Sequence, residues 1–377
     1  MSDALSPQVD GRRDMRCIAL LGRKDVPTDA VEEYCRYLSE ALQAHNIQLE
    51  IRRVPWEIHG WRESLKALRL MAAQWKGNWV LIQYTALAWS SRGFPGRVLH
   101  VARLLRDAGV RLGIVYHDVE PYTGARWVDK GRRFLQVRTM RRLVALSDVA
   151  VFTVAIEKIS WLPRNERRAV FVPVGANLPL PLEPSITDSR QGVPTVSVFS
   201  ITGGEPGARE TSDVVGAIRY AAKEIGQLRL LVFGRHAELR ENALREGLRD
   251  LPVAVSVEGV IDENEIVNRL SASDVSLFIR GSISSRRGSA IAGIACGLPV
   301  IAFAGPETAA PITEAGVVLV PSDDPETLGR ALVRVLSDTI YRSDLAERSR
   351  AAYREYFSWE AIARRFAAAL SIFDSEK

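Results

Sequence analysis

The sequence predicts an α/β protein with two doubly wound, Rossmann-like domains. The chain has 377 residues, enough for two domains that each bury a full core. Short β-branched and aromatic runs alternate with segments of helical periodicity, and some runs are apolar almost throughout, which is typical of parallel strands covered on both faces. A segment rich in proline and serine, residues 178–192, interrupts this alternation near the middle of the chain. Its composition suits an interdomain linker.

Composition argues against several classes of protein. The net charge of +5 is modest for this length, and no nucleic-acid-binding motif is present, so we expect no nucleic-acid partner. No apolar stretch approaches the length of a membrane span, and residues 1–14 are polar and lack a signal-peptide core. We therefore expect a cytoplasmic protein with a flexible tail at residues 1–14. Three scattered cysteines, Cys17, Cys35 and Cys296, indicate neither a disulfide framework nor a metal site.

The first half of the chain alternates apolar runs with amphipathic segments. Strands are predicted at residues 15–21, 47–54, 79–84, 111–116, 148–154 and 168–172. Thr28 or Asp29 is the expected N-cap of the first helix, and Pro95 is expected to begin the third. Helices are also predicted at residues 60–76 and 130–146.

The second half restarts the same alternation. Strands are predicted at residues 195–200, 228–234, 253–261, 275–279 and 300–303. Residues 201–209 read as a glycine-rich loop before a helix at 211–224. Further helices are predicted at residues 289–296, 324–336, 341–356 and after Ser358.

The loop that follows the strand at 275–279 is the strongest candidate binding site. In a parallel sheet such a loop lies at the carboxyl edge, where α/β proteins bind ligands. Gly288 would let a ligand approach the backbone, Arg286 and Arg287 could donate bidentate hydrogen bonds, and Ser289 is the expected N-cap of the next helix. Together with the free N–H groups of that helix, they favour a phosphate or diphosphate. Alternatively, the small residues serve helix–sheet packing and the arginines are solvated.

A histidine and an aspartate follow the strand at 111–116. At the carboxyl edge of a sheet, His117 could donate to a substrate hydroxyl or accept its proton. We therefore take His117 and Asp118 as candidate catalytic residues. Alternatively, His117 ends the strand and Asp118 caps the next turn. The loop at 85–96, rich in serine, glycine and aromatic residues, is a candidate acceptor surface.

Basic residues are densest in the segment 130–142. A basic amphipathic helix here could contact an anionic membrane, which would place the protein peripherally at the inner membrane surface. A solvated helix face is the alternative, because the charges do not separate cleanly from Phe134, Leu135 and Met140 at helical spacing.

Three segments carry a resemblance to a known family. Residues 291–302 read Ile-Ala-Gly-Ile-Ala-Cys-Gly-Leu-Pro-Val-Ile-Ala, residues 173–177 read Pro-Val-Gly-Ala-Asn, and residues 357–360 read Phe-Ser-Trp-Glu. They resemble segments of the family-4 retaining glycosyltransferases of the GT-B fold, and the resemblance extends over nearly the whole chain.

This resemblance implies two Rossmann-like domains that face each other across a cleft. The implied bounds are 15–178 for the acceptor-side domain, 179–192 for the linker, 193–357 for the nucleotide-sugar-binding domain and 358–377 for a last helix that crosses back to the first domain.

The paired glutamates of the family are missing. Ser284 and Ala292 stand where the family has glutamates that hold the donor sugar and the ribose. Alanine cannot accept a hydrogen bond from the ribose, and serine can make only one neutral bond, which is weaker than a charged one. Either the site has been reshaped for an unusual donor, or the chain is a non-catalytic member of the family.

The implied activity is transfer of a sugar from a nucleoside-diphosphate sugar to a glycan, a lipid-linked acceptor or a small molecule, in glycan or polysaccharide biosynthesis. Cations and a helix N-terminus can stabilise the leaving diphosphate, so neither a metal nor another cofactor is expected. The alternatives are a non-catalytic protein that binds a partner glycosyltransferase or a glycan, and a nucleotide-sugar epimerase.

The resemblance also assigns roles to candidate residues. His117 would contact the sugar or the acceptor, and Ser284 would contact the donor sugar. The residues expected to border the nucleotide base are Glu258, Gly259 and Val260. Those expected to bind the donor diphosphate are Arg209, Arg286, Arg287, Gly288 and Ser289.

Overall fold

The computed structural model describes residues 15–26, 29–124, 126–180, 192–321 and 325–372. The chain forms two compact units, of which the first comprises Met1–Ala150 with Ala363–Lys377 and the second comprises Val151–Ile362. The predicted tail at 1–14 and most of the predicted linker at 179–192 lie outside the described residues.

The first sheet has six strands in the order β2-β1-β3-β4-β5-β6. The chain steps from β1 to β2 on one side and returns to β3 on the other, so the strand order reverses beside β1. Its strands are β1 (Met15–Leu21), β2 (Ile47–Arg53), β3 (Trp79–Tyr84), β4 (Arg111–Tyr116), β5 (Val149–Phe152) and β6 (Ala169–Phe171). Four helices accompany them: α1 (Ala30–Leu42), α2 (Trp56–Ala73), α3 (Val98–Asp107) and α4 (Trp127–Leu146).

Local sequence signals explain how these helices begin. The Asp29 carboxylate accepts hydrogen bonds from the N–H groups of Val31 and Glu32, which confirms Asp29 as the N-cap of α1. A 3-10 turn that starts at Pro95 leads directly into α3, as predicted. Helix α2 begins four residues earlier than predicted, and Gly60 interrupts its helical geometry with a φ of +73°.

The second sheet also has six strands, in the order β12-β11-β10-β7-β8-β9, and every neighbouring pair is parallel. Its strand order reverses at β7, which lies between β8 and β10. Its strands are β7 (Thr195–Phe199), β8 (Leu228–Phe233), β9 (Val253–Val257), β10 (Val275–Phe278), β11 (Val300–Phe303) and β12 (Val317–Val320). The helices are α5 (Gly204–Ile225), α6 (Glu241–Leu248), α7 (Glu263–Ser271), α8 (Gly288–Ala295), α9 (Pro325–Ser337), α10 (Thr339–Ala352) and α11 (Trp359–Ile372).

Two predicted helix starts in this half were wrong. Helix α5 begins at Gly204 rather than at residue 211, so most of the predicted glycine-rich loop is helical. Pro206 is tolerated there because the first-turn N–H groups have no partner within the helix. Ser289 is not the N-cap of α8, which begins at Gly288 and has Arg287 at the cap position.

The predicted start of the last helix, after Ser358, is confirmed, since α11 begins at Trp359. Ser358 Oγ accepts a hydrogen bond from the Ala361 N–H at 3.2 Å, which confirms its capping role. Trp359 donates through Nε1 to the Ala176 carbonyl oxygen at 2.8 Å. The predicted apolar stripe is buried: Trp359, Ile362, Phe366 and Leu370.

Gly316 packs closely against the backbone of α10, and this contact can be tested by substitution. A Cβ atom at this position would lie 1.8 Å from the Leu345 carbonyl oxygen. We therefore expect Gly316→Ala to lower the free energy of unfolding by on the order of 1–3 kcal/mol, because the backbone of α10 must move. Thermal unfolding followed by circular dichroism measures the effect.

The matched control is Gly216→Ala, on the exposed face of α5, where an added Cβ meets no atom within 4 Å. It should raise stability by up to ~1 kcal/mol, because alanine favours the helix over glycine. Equal unfolding temperatures for Gly316→Ala and the unmodified protein would contradict the expected clash.

Candidate functional site

The first unit contains a cavity of about 250 Å³ at the carboxyl ends of β1 and β3. These strands flank the point where the strand order reverses, which is where open α/β sheets bind ligands. Thr85, Leu87 and Ala88 of the predicted acceptor loop line it. Its other polar side chains include Asp25, Asp29, Gln83 and Asp118.

The two predicted catalytic residues occupy different positions relative to this cavity. Asp118 lines it, whereas His117 is not one of its lining residues. The His117 Nε2 atom lies 2.8 Å from Gln83 Oε1, and its ring meets the Tyr34 ring edge-on with centroids 5.0 Å apart. With the amide oxygen in this orientation, Nε2 carries the proton. His117 thus supports Gln83, which does face the cavity.

Burial determines the charge of His117. It lowers the pKa of the imidazole to about 4, although the negative charge of Asp29 acts in the opposite direction. His117 is therefore neutral at pH 7. In this state it can position Gln83 by a hydrogen bond, but it carries no positive charge with which to stabilise an anion.

Asp29 is a cavity residue that the sequence identified only as a helix cap. Its Oδ1 atom accepts from the N–H groups of Val31 and Glu32, each at 3.2 Å. Its Oδ2 atom accepts from Arg53 Nη2 at 2.9 Å and from the Asp25 N–H at 3.3 Å. The position of Asp29, in the loop between β1 and α1 at the carboxyl edge, was the signal that could have identified it.

A backbone contact between two loops shapes the same cavity. A Cβ atom at Gly22 would lie 2.2 Å from the Ala88 carbonyl oxygen. That oxygen accepts hydrogen bonds from the Arg23 N–H at 2.8 Å and from Trp56 Nε1 at 2.9 Å. The loops after β1 and β3 are therefore held together, and position 22 has no room for a side chain.

In the second unit, Glu307 holds Arg286. The Arg286 Nε and Nη2 atoms lie 2.8 and 3.0 Å from the two Glu307 carboxylate oxygens, and Ser284 Oγ donates to Oε2 at 3.0 Å. Burial raises the pKa of Glu307, but the hydrogen bond and charge of Arg286, with help from Ser284, outweigh it and leave the pKa below its ordinary value. The sequence resemblance placed the segment that begins at Glu307 beneath the donor sugar but did not pair Glu307 with Arg286, which lies 21 residues away in the chain.

The other residues predicted to bind the diphosphate are in different surroundings. Arg209 lies on the exposed surface of α5 and pairs with Glu205 at 2.5 Å. The Arg287 Nη2 atom lies 4.0 Å from where a Cβ at Gly281 would stand, so this side chain folds back over the end of β10.

The residues at the start of α8 leave open space. Gly288 is exposed, and a Cβ atom there would meet no atom within 4 Å. Ser289 is the second residue of the helix, and Ala292 is buried on its inner side. Binding of a diphosphate at Gly288 and Ser289 stays a prediction.

The residues predicted to border the base follow β9. The Glu258 carboxylate pairs with Arg269 Nη2 at 3.0 Å. The Gly259 carbonyl oxygen accepts from the Gly234 N–H at 2.9 Å, which joins the loops after β8 and β9. Val260 is 57% exposed and so offers an apolar surface at this edge. The nucleotide contact of all three residues stays a prediction.

The described residues show neither a metal-binding cluster nor a membrane-spanning helix. Within these ranges, no group of three or more His, Cys, Asp or Glu side chains could hold a metal ion. Among the helices that the structure describes, none combines the length and apolarity needed to cross a membrane.

The depressed pKa of His117 predicts a pH dependence. Its ordinary pKa is 6.5 and burial lowers it to about 4, so the unfolded chain binds this proton more readily. The stabilising contribution is complete above pH 6.5 and is lost as the pH falls towards 4. We expect the unfolding temperature to fall less steeply over this range in His117→Gln than in the unmodified protein.

Proton NMR tests the same assignment directly. The chain has five histidines, and the imidazole signal that disappears in His117→Gln should titrate near pH 4. A midpoint near 6.5 for that signal would show that the ring is solvated rather than buried against Gln83 and Tyr34.

Comparison with known proteins finds similarity to glycosyltransferases in part of the chain. Residues 207–338 match the family model described as Glycosyl transferases group 1. Over 154 residues the chain is 31% identical to a GDP-mannose-dependent monoacylated alpha-(1-6)-phosphatidylinositol monomannoside mannosyltransferase from Corynebacterium glutamicum. That match covers 38% of this chain and spans only 39% of the length of the curated relative.

Solved structures match the chain over nearly its whole length. Sucrose-phosphate synthase from Thermosynechococcus elongatus aligns with a TM-score of 0.71 at 19% identity, covering 96% of this chain and 100% of that one. HepE from Anabaena, in complex with UDP and glucose, aligns with a TM-score of 0.63 at 14% identity, covering 95% and 100%. These neighbours and the two parallel six-stranded sheets confirm the fold predicted by resemblance: the chain has the GT-B fold, and its residues 207–338 match the group 1 glycosyl transferases.

Proposed function

We propose that this protein is a glycosyltransferase that moves a sugar from a nucleoside-diphosphate sugar to an acceptor. One observation carries the proposal: the family match at residues 207–338 runs from the first turns of α5 to the end of α9. It therefore includes the carboxyl ends of β8, β9, β10 and β11, where an α/β sheet binds a nucleotide.

The two units supply different chemistry to this reaction. Cleavage of the donor leaves negative charge on the departing diphosphate, which arginines at the edge of the second sheet can stabilise. The cavity of the first unit offers polar side chains to an acceptor hydroxyl. Asp118 lines this cavity, whereas His117 stands behind Gln83, so Asp118 is the better candidate to accept a hydrogen bond from that hydroxyl.

A carboxylate lies beside the position where the family glutamate is missing. Ser284 Oγ is 3.0 Å from Glu307 Oε2, so a negative charge is present close to residue 284 although the residue itself is neutral. We propose that Glu307 contributes to donor-sugar recognition here, since each carboxylate oxygen can accept more than one hydrogen bond. This contact favours an active enzyme over the non-catalytic alternative.

Nucleotide binding is the first test. We expect one of UDP, GDP, ADP or dTDP to raise the unfolding temperature of the unmodified protein. A ligand that binds only the folded state stabilises it by about 2.7 kcal/mol at one hundred times its dissociation constant. The corresponding sugar conjugate should then release nucleoside diphosphate faster when a suitable acceptor is added.

Other outcomes separate the alternatives. Conversion of the free nucleotide sugar into an isomer without any acceptor would identify an epimerase. Absence of a thermal shift with every nucleotide would contradict the proposed transfer and favour a protein that binds a partner glycosyltransferase or a glycan.

We further propose that the exposed face of α4 contacts an anionic membrane surface. Its first half exposes large apolar side chains, with Trp127 at 92% and Phe134 at 65%, and Val128 and Leu135 lie beside them at the same seven-residue spacing. The exposed basic residues of the helix are Lys130, Arg133, Arg138, Arg141 and Arg142.

Burial inside α4 explains why this face carries so little negative charge. Asp129 is the one acidic residue in the helix, and it is buried and paired with Arg132 at 2.9 Å. Of the three apolar residues that the sequence did not separate from the charges, Phe134 and Leu135 are exposed and Met140 is buried. Apolar side chains and arginines on one surface match the chemistry of an anionic lipid interface.

Vesicle sedimentation tests this surface. We expect the unmodified protein to bind vesicles rich in phosphatidylglycerol more tightly than phosphatidylcholine vesicles, and Trp127→Ala/Phe134→Ala to bind them at least tenfold more weakly, because each ring loses roughly 1.5–3 kcal/mol of apolar burial. Leu70→Ala, which removes a 74% exposed side chain from α2, is the matched control and should bind normally. Equal binding by the double variant would contradict the proposal.

A further inference from the structure

Two side chains of α4 hold the loop that follows β3. Arg132 Nε donates a hydrogen bond to the Arg92 carbonyl oxygen at 3.0 Å, and Gln136 Nε2 donates to the Gly93 carbonyl oxygen at 2.8 Å. The packing is close, since a Cβ atom at Gly93 would lie 3.0 Å from Arg132 Cδ. Other residues of this loop line the cavity of the first unit. The helix therefore fixes the position of a loop that shapes the cavity.

The same two side chains hold the loop that follows β4. Gln136 Oε1 accepts a hydrogen bond from the Tyr122 N–H at 2.7 Å. The Arg132 guanidinium contacts two aromatic rings, with its carbon 4.7 Å from the ring centroid of Tyr122 and 5.4 Å from that of Phe94. Asp118, which lines the cavity, belongs to the loop after β4. Two of the cavity loops thus meet at Arg132 and Gln136.

The partners of Gln136 fix the orientation of its amide. A peptide N–H donates and a carbonyl oxygen accepts, so the amide oxygen faces Tyr122 and the amide nitrogen faces Gly93. Gln136 is buried, and loss of either hydrogen bond would leave a buried polar group without its partner. The contact between α4 and the two loops is therefore specific rather than a chance surface contact.

Asp129 connects this contact to the first turn of α4. Its Oδ1 atom accepts from Arg132 Nη1 at 2.9 Å, and its Oδ2 atom accepts from the Arg126 N–H at 3.0 Å at the start of the helix. Asp129 is buried, so fraying of the first turn would remove the carboxylate that holds Arg132. Asp129, Arg132 and Gln136 form one connected group, the α4 clamp.

The opposite side of the same turns carries exposed apolar residues. Trp127 and Phe134 are 92% and 65% exposed, and helical spacing places them across the helix axis from Gln136. Only the helical conformation brings both rings to one side, so a lipid surface that buries both binds the ordered helix in preference to a frayed one. A ligand that binds only the ordered state increases the population of that state.

We infer that contact of α4 with an anionic lipid surface orders the two cavity loops through the α4 clamp. Arg132 and Gln136 are then positioning residues, which act on an acceptor through the loops rather than by touching it. This inference rests on the proposed function, because it makes the proposed membrane contact a regulator of the proposed transfer. The acceptor cavity is best ordered when the protein is bound to lipid.

Hydrogen exchange followed by mass spectrometry tests the inference, with phosphatidylglycerol vesicles as the probe. We expect saturating vesicles to slow exchange in residues 127–135, and also in residues 85–94 and 118–124, by roughly threefold or more. In Arg132→Lys the vesicles should slow exchange in α4 alone. Lysine keeps the charge but loses the Nε hydrogen bond to Arg92 and the planar group that contacts the two rings.

The matched control is Arg103→Lys, the same substitution at an exposed arginine of α3. It should reproduce the behaviour of the unmodified protein in all three segments. If vesicles slow exchange in the two loops of Arg132→Lys as much as in the unmodified protein, the α4 clamp does not carry the effect and the inference is overturned.

Exchange without vesicles separates a positioning role from a general structural one. Arg132→Lys should exchange faster in the two loops, while the amides of β1 and β3 keep the exchange rates of the unmodified protein. Faster exchange in those strands as well would assign Arg132 to the stability of the whole first unit and overturn the inference.

Two further outcomes distinguish the inference from the proposals on which it rests. Vesicles that slow exchange in α4 but not in the loops of the unmodified protein overturn the inference and support the membrane contact. Vesicles that change no segment overturn both the membrane contact and the inference. The measurement contains no nucleotide, so these outcomes do not depend on the proposed transfer, which the nucleotide panel tests separately.

Discussion

The parallel pairing of β7 with both β8 and β10 is the constraint on which the second unit depends. Because all six strands run in the same direction, every carboxyl end meets one edge, and the reversal at β7 brings loops that are distant in sequence together there. The loops after β8 and β10 are 45 residues apart if measured from Arg235 to Arg280, yet one strand separates them. A one-residue slip in either register would turn the buried side chains of the strand to the opposite face of the sheet.

The ion pair between Arg286 and Glu307 gives the loop after β10 its shape. The two guanidinium hydrogen bonds form one bidentate, charge-assisted pair, and Ser284 adds a third hydrogen bond to the same carboxylate. The loop is thus held to the segment after β11, where Thr308 Oγ1 also donates to the Ile283 carbonyl oxygen at 2.7 Å. Glu307 therefore brings a carboxylate next to Ser284 from a position 23 residues later in the chain.

The fold could be predicted from local patterns, because buried parallel strands are continuous apolar runs and helices often begin at recognisable N-cap residues. Strand β3 and the Asp29 cap are examples. The start of α5 could not be predicted in this way, because Gly203, Gly204 and Gly207 are typical of a loop. The hydrogen bond from the Thr202 N–H to Glu210, which supports the helix start, forms only when residues 204–210 are helical.

The candidate site was predicted less completely than the fold. Asp118 could be identified because it follows a buried strand and so reaches the carboxyl edge. Glu307 and Gln83 could not, because their partners are 21 and 34 residues away in the chain. Arg280 is an ordinary arginine in the sequence, and only the surrounding structure reveals that its Nε is buried without a partner among the described residues.

The four hydrogen bonds of Asp29 restrict how the cavity of the first unit can evolve. One carboxylate caps α1, binds Arg53 and lines the cavity, so a substitution that altered ligand contact would also weaken the helix start and leave Arg53 with Glu32 as its remaining carboxylate partner among the described residues. Selection for a new acceptor would therefore act on cavity residues that have no structural role besides lining the cavity. Leu87 is such a position, since its side chain is 52% exposed and lines the same cavity. Substitutions that change acceptor specificity among descendants of this protein should therefore be concentrated at Leu87, while Asp29 stays invariant.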